Sequence, residues 1–234
     1  ELAASQIEKS RVSVVVTATG PDNSPKFTFK KSVSETAGRE QNHQFENIDL
    51  AYIIFTSGST GEKKGVAISK ESLLAYISGV KEIFTGKFFA KSLAINGELT
   101  FDITLADIAF ALVFKTEVCL TSQASNILSL CSIIKQRSVE SVYAVPSTWE
   151  LILNLGRNIP DFSLAGLKNI FSGGEALTSS LLNGIRNASP SAKIFNMYGP
   201  TEFTINAFYH EIGDDQFRSS EMEVVPIGKP FPGV

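Results

Sequence analysis

The chain has 234 residues, 43% of them hydrophobic and 19% charged, with a formal net charge of −3 at pH 7. That length suits one globular domain, or one with part of a second, able to bury roughly 70% of its unfolded surface without disulfide or metal staples. The slight acidic excess argues against a nucleic-acid partner. Without a signal peptide or an apolar run of about 18 residues, no membrane partner is expected and a cytoplasmic protein is.

In chain order, Val12 to Val16 reads as a buried strand, and 19–47, opening with Gly20-Pro21-Asp22-Asn23-Ser24-Pro25, as an irregular surface segment. Strands near 50–55 and 65–68 flank a Gly/Ser-rich stretch. A helix over 71–84 carries Leu73, Leu74, Ile77, Val80 and Phe84 at helical spacing, with Ser69 as its candidate cap. Short apolar runs and amphipathic segments then alternate. Strands are expected at 92–95, 117–120, 141–145, 167–171 and 192–195, and helices at 104–114, 127–136, 148–155 and 177–187. This alternation predicts an α/β sandwich with a largely parallel sheet. Cys119 and Cys131 lie in apolar segments and read as core thiols, while His43 and His210 lack metal-ligand spacing.

The chemistry concentrates in four segments, each at or near a predicted strand end, where ligands collect in parallel sheets. The first is Thr56-Ser57-Gly58-Ser59-Thr60-Gly61-Glu62-Lys63-Lys64. Glycines let backbone N–H groups close on a ligand, hydroxyls donate further hydrogen bonds, and lysine adds positive charge. That combination suits a polyphosphate, although the P-loop spacing is absent in every register. The others are Thr100-Phe101-Asp102, Ser172-Gly173-Gly174-Glu175, and Asn196-Met197-Tyr198-Gly199-Pro200-Thr201-Glu202.

In this order the four segments resemble the adenylate-forming (AMP-binding) superfamily, and within it the adenylation domains of nonribosomal peptide synthetases. The phosphate loop resembles the family's Thr-Ser-Gly-Ser-Thr-Gly-x-Pro-Lys-Gly-Val, Asn196 to Glu202 its Asn-x-Tyr-Gly-Pro-Thr-Glu, Phe101-Asp102 its Phe-Asp-x-Ser, and Pro226 to Pro230 its Pro-Ile-Gly-x-Pro. The resemblance implies that residues 1–234 form part of the large N-terminal subdomain of such an enzyme. The missing initiator methionine and a final Pro/Gly-rich turn fit an internal fragment, without the C-terminal subdomain and its second catalytic lysine.

The implied chemistry activates an amino acid with ATP as an aminoacyl-AMP, releases pyrophosphate, and passes the acyl group to phosphopantetheine on a carrier-protein domain, in company with other synthetase domains. Thr56, Ser57, Gly58, Ser59, Thr60 and Gly61 would hold the β- and γ-phosphates, with Lys64 neutralising them. Glu202 would hold Mg²⁺, Thr201 would donate to the α-phosphate, and Asn196 would bond the adenine amino group. Tyr198 would stack on adenine beside the backbone of Gly173, Gly174 and Glu175. Asp102 would pair with the substrate's α-ammonium, completed by the carbonyls of Gly199 and Ile205. Ile103, Ala106, Tyr143, Phe171, Gly173, Met197, Ile205 and Asn206 fall at the lining positions of the side-chain pocket. Ala106 and Gly173 would leave room there. The set is uncharged and mostly apolar, so a neutral amino acid is expected.

The chain departs from the pattern at Glu62-Lys63, where the family has x-Pro, at Thr104 for Ser, and at Lys70 where His is common. Two other readings stand beside the first: an acyl- or aryl-CoA ligase of the same superfamily, and a catalytically silent module. Asp102 itself can be read as the N-cap of helix 104–114, and Glu175 as the cap of helix 177–187.

Overall fold

A computed structural model describes residues 15–19, 26–30, 50–57, 63–213 and 223–232. The chain divides after Ser69 into two compact units. In the first, β1 (Val15–Thr19) pairs antiparallel with β2 (Lys26–Lys30). Of the strand expected at 12–16, residues 12–14 lie outside the described residues and 15–16 open β1, while the segment read as irregular contains a strand. In the sequence Phe27 and Phe29 alternate with Lys26, Thr28 and Lys30, a period-two pattern that favours a strand. Beside that ribbon in sequence, β3 (Leu50–Ser57) and β4 (Lys63–Ser69) form an antiparallel hairpin, with Ile53 opposite Ala67 and Thr56 opposite Lys64.

The second unit is a seven-stranded sheet with helices on both faces. It starts with α1 (Lys70–Phe84), then β5 (Ser92–Ile95), α2 (Ile103–Phe114), β6 (Glu117–Leu120), α3 (Ile127–Arg137), β7 (Ser141–Ala144) and α4 (Pro146–Gly156). It continues with β8 (Asn169–Gly173), α5 (Ser179–Ala188), β9 (Lys193–Tyr198), a short 3₁₀ turn (Thr201–Phe203), β10 (Phe208–Glu211) and β11 (Lys229–Pro230). Across the sheet the order is β6-β5-β7-β8-β9-β10-β11. The first five strands run parallel, and β10 and β11 close one side antiparallel. The expected α/β sandwich with a largely parallel sheet is what forms.

Alternation along the buried strands assigns each side chain to one of two cores. Ala94, Val142, Ile170 and Ile194 point to the face covered by α3, α4 and α5, where Leu130, Cys131, Trp149, Ile152 and Ile185 pack. Leu93, Tyr143, Phe171 and Phe195 point to the opposite face, under α1 and α2, with Val80, Phe84 and Phe110. This second core is aromatic: the Phe171 ring lies 4.7 Å from Phe110, 5.2 Å from Phe195 and 5.6 Å from Phe84. Such pairs add about 0.5–1.5 kcal/mol each beyond area burial. Both cysteines are free and buried, as the apolar segments around them suggested.

Local signals explain the helix starts. Pro146 opens α4 at a position where its missing N–H is not needed. Asn126 accepts a hydrogen bond from the Ser129 N–H at the start of α3, and Thr178 accepts one from Leu181 at the start of α5. Helix α2 is apolar nearly all round, with Asp107 its single charged residue; one side packs into the core while Leu112 stays exposed. Among the described residues no helix is long and apolar enough to cross a membrane.

Candidate active site

In the first unit the hairpin places Thr56 directly across from Lys64. Opposed residues of an antiparallel pair project from the same face, so hydroxyl and ammonium leave side by side. Thr56 is half-buried and Lys64 exposed. The Ser57 side chain and Gly58, Ser59, Thr60 and Gly61 lie outside the described residues.

In the second unit the parallel strands β5, β7, β8 and β9 deliver their carboxyl ends to one edge of the sheet. Ser172-Gly173 and Asn196-Met197-Tyr198, expected in loops, are instead the last residues of β8 and β9; Ser172 pairs with Asn196 and Gly173 with Met197. Glycine and asparagine read as turn formers in the sequence, yet here backbone pairing holds them extended. Gly173 is required sterically. A Cβ there would meet the Met197 carbonyl oxygen at 2.6 Å and the Tyr143 hydroxyl at 2.7 Å. The space expected beside Gly173 is therefore occupied. Ala106 is likewise fully buried, enclosed in the aromatic core with Phe171, Met197 and Ile205.

Asp102 stands at the N-cap position of α2 but has helical torsions and makes no capping bond, which removes the capping reading. Its side chain turns inward and is 9% exposed. It accepts a hydrogen bond from the Thr201 hydroxyl, so the Phe-Asp segment and the 3₁₀ corner meet. The second carboxylate oxygen, Oδ2, is buried and has no hydrogen-bond partner. Burial raises the carboxyl above its usual range; Thr201 pulls it back, and the nearby Glu202 adds to the rise. Glu202 itself is exposed on the corner.

The corner is held in an uncommon backbone shape. Thr204 and Ile205 have φ of 62° and 70°, the left-handed region that β-branched residues rarely enter. Each such residue costs of order 1–3 kcal/mol, and such strain clusters at functional sites. The turn brings Ile205 and Asn206 back under the sheet edge. A Cβ on Gly199 would collide with the Ile205 carbonyl oxygen and the Ala207 backbone nitrogen, at 2.5 and 2.8 Å, so only glycine fits.

Asn206 is 3% exposed and sits in a hydrogen-bonded chain. Tyr76 donates to its Oδ1 at 2.9 Å, and its Nδ2 donates to the Tyr143 hydroxyl at 2.9 Å. Burial, offset in part by that bond, pushes the Tyr143 phenol well above its ordinary range; Asp107 and Asp102 both add to the rise. Asn196 donates through Nδ2 to the carbonyls of Val225 and Pro226, at 3.3 and 3.0 Å. The start of the Pro-Ile-Gly-Lys-Pro segment is thereby fixed to β9. Tyr198 is 47% exposed, with its ring edge-on to Phe208 at 6.3 Å. Gly174 has φ +87°, and Glu175 bonds the Ser147 N–H and hydroxyl, both at 2.9 Å. Glu175 thus caps α4 rather than α5, whose cap is Thr178.

An uncharged pocket wall was expected. Asp107, one residue past Ala106, is 5% exposed and lines a cavity of about 300 Å³ that Ile103 and Tyr143 also line. The sequence reading passed over it, although one acid in an otherwise apolar helix was a signal. Tyr76 and the Thr201–Asp102 bond were also missed, for they join positions far apart in the chain. Among the described residues there is no cluster of three or more His, Cys, Asp or Glu side chains that could hold a metal alone. An exposed carboxylate such as Glu202 suits Mg²⁺, which takes one or two carboxylates together with nucleotide phosphates.

Comparison with known proteins supplies the family. The model of the AMP-binding enzyme family matches residues 1–234. Tyrocidine synthase 3 of Brevibacillus parabrevis is 31% identical over 189 residues, covering 80% of this chain and 3% of that protein. The Vibrio cholerae adenylation domain AlmE, solved with glycyl-adenosine-5'-phosphate, superposes with a TM-score of 0.67 at 32% identity, over 80% of this chain and 34% of AlmE. PA1221, a nonribosomal peptide synthetase protein containing adenylation and PCP domains, superposes with a TM-score of 0.65 at 26% identity, over 79% of this chain and 36% of its own. The chain thus spans between 3% and 36% of these three relatives. A family model running the whole chain, with three of the motifs gathered at one sheet edge of the second unit, places the protein in the AMP-binding enzyme family, with nonribosomal peptide synthetase adenylation domains among its relatives.

Proposed function

We propose that the chain is the nucleotide- and acyl-binding core of an amino-acid-adenylating ligase. The observation that carries this reading is the buried, unpartnered Oδ2 of Asp102 beside the Thr201–Glu202 corner. A carboxylate with a desolvated free oxygen calls for a cation, and an α-ammonium supplies one. Fatty and aryl acids bring no such charge. AlmE, which binds a glycyl adenylate, supports the reading by its similarity over this segment.

In the proposed first step a substrate carboxylate oxygen attacks the α-phosphorus of ATP. The bond to the bridging oxygen breaks and pyrophosphate leaves, giving the aminoacyl-AMP. Catalysis of this kind depends on positioning and charge neutralisation. Asp102 fixes the amine end of the substrate. Lys64 and Thr56, side by side on their hairpin, with Ser57, Ser59 and Thr60, meet the departing phosphates. Glu202 would hold Mg²⁺, whose charge lowers the repulsion between phosphate oxygens. Asn196 and Tyr198 orient adenine. Thr201, bonded to Asp102, links the amine site to the α-phosphate it would contact once nucleotide arrives. In the second step a phosphopantetheine thiolate attacks the acyl carbonyl and AMP leaves, forming a thioester. The reading includes a carrier-protein domain, the C-terminal adenylation subdomain and neighbouring synthetase domains as partners, in the cytoplasm.

The test is ATP–pyrophosphate exchange by the full-length protein. Amino acids should stimulate it, fatty and aryl acids should not, and Asp102→Ala should lower amino-acid-dependent exchange at least about a hundredfold. Exchange driven by fatty or aryl acids and indifferent to Asp102→Ala would assign a CoA-ligase reaction instead. Neither exchange nor ATP protection in thermal melts would leave a silent module.

A further inference from the structure

The cavity beside the proposed ammonium site holds chemistry that the adenylation reading does not use. It opens at the carboxyl ends of β5 and β7, with Asn96, Ile103, Asp107, Tyr143, Val145 and Thr148 among its walls. Its volume of about 300 Å³ is at the small end of ligand sites. Two of its wall groups are unmet. Asp107 is 5% exposed and has no hydrogen-bond or ionic partner among the described residues; burial alone governs its carboxyl, holding it well above the usual range. The Asn96 Oδ1 atom is buried and likewise accepts no hydrogen bond.

A desolvated carboxyl without a partner is costly to fold. Nothing in the packing of α2 requires it, since every neighbour on that helix is apolar or a threonine. Both unmet groups accept hydrogen bonds, so the occupant that suits them donates. One of them bears negative charge when ionised, so the donor that suits it is cationic. Asp107 follows Ile103 by one helical turn and Asp102 by five residues, about 7.5 Å along the helix axis. The Tyr143 hydroxyl lies in the field of both carboxylates. Asp107 lies about 140° around the helix from Asp102, but Phe101 and Ile103, the residues on either side of Asp102, both line this cavity, so the side chain of a molecule anchored by its α-ammonium at Asp102 would enter it past Ile103.

We propose that Asp107 is a specificity-determining residue and that the amino acid activated here carries a second amine on a short side chain, received in this cavity by Asp107 and Asn96. The inference rests on the amino-acid reading of Asp102 and adds the side-chain class.

The experiment is pyrophosphate exchange by the full-length protein with diaminopropionate, diaminobutyrate and ornithine, each against the neutral amino acid of equal chain length. The best diamino acid should exceed its neutral counterpart in kcat/KM by at least about a hundredfold, because a neutral side chain leaves buried acceptors unmet. Asp107→Asn should compress that ratio to about tenfold or less while the protein melts at least as high as wild type. The wild-type panel decides by itself if the variant is not obtained. Wild-type preference for a neutral side chain, including asparagine or glutamine, overturns this proposal and leaves amino-acid adenylation standing. Exchange with aryl or fatty acids and no amino acid overturns both.

Discussion

Replacing Asn206 by leucine tests the buried polar chain that shapes the site. The side chain is 3% exposed and joins Tyr76 to Tyr143 by two 2.9 Å hydrogen bonds. Leucine is similar in size and can make neither. It leaves the Tyr143 phenol oxygen unpaired in the aromatic core and takes one hydrogen bond from Tyr76, each loss costing about 1–3 kcal/mol, or about 4 kcal/mol together. Burying an additional apolar side chain returns about 1 kcal/mol, for a net loss near 3 kcal/mol. Urea unfolding followed by the fluorescence of Trp149 reads this directly. It is the single tryptophan of the chain, fully buried, and its indole N–H donates to the Phe171 carbonyl at 3.1 Å. With a slope of about 2 kcal/mol/M, the midpoint should fall by about 1.5 M. The triple variant Tyr76→Phe, Tyr143→Phe, Asn206→Leu removes the donors and acceptors of both bonds together and should return to within about 1 kcal/mol of wild type. A single variant costing less than about 1 kcal/mol, or a triple variant as unstable as the single, would refute the reasoning.

Three further outcomes are expected. Gly173→Ala drives a methyl group onto the Met197 carbonyl oxygen of the neighbouring strand, which cannot rotate away, and should lower stability by about 1–3 kcal/mol in the same titration; an unchanged midpoint would contradict the contact. Lys64→Met removes the charge-assisted contact proposed for ATP and should raise the KM for ATP about 10- to 100-fold in pyrophosphate exchange, with the melting temperature without ligand unmoved. Asp107 tests linkage: its folded carboxyl holds the proton more tightly than the unfolded chain does. This group therefore favours folding below about pH 3.9, and the contribution is lost as pH rises through the raised folded value. Asp107→Asn should accordingly be more stable than wild type near neutral pH, and the two midpoints should converge towards pH of about 4.

The parallel core was legible because its strands are apolar runs bounded by polar turns, and β5, β6 and β7 lie where those runs do. The ends of β8 and β9 were misread because Gly173 and Asn196 carry turn propensity that neighbouring-strand pairing overrides. Strand β2 was missed although Phe27 and Phe29 alternate with polar residues, since the Gly/Pro cluster just before it dominated the reading. Motifs revealed which residues gather at the sheet edge, but not what they touch. That Glu175 caps α4, that Asn196 clamps Val225 and Pro226, and that Asp102 bonds Thr201 are contacts between positions 28 to 99 residues apart in the sequence. Asp107 was the reverse case: its position was plain, and only its burial gave it meaning.

The left-handed pair at Thr204 and Ile205 bears on engineering. A thermostabilisation scan that replaces strained non-glycine residues with glycine would choose 204 and 205 early. Relaxing that bend frees the peptide planes whose carbonyls were assigned to the amine, and loosens the tether holding Thr201 against Asp102. Gains in heat tolerance at these two positions should come with losses in turnover, so a campaign seeking a hardier catalyst does better to leave this hairpin corner tense and work on the opposite helical layer.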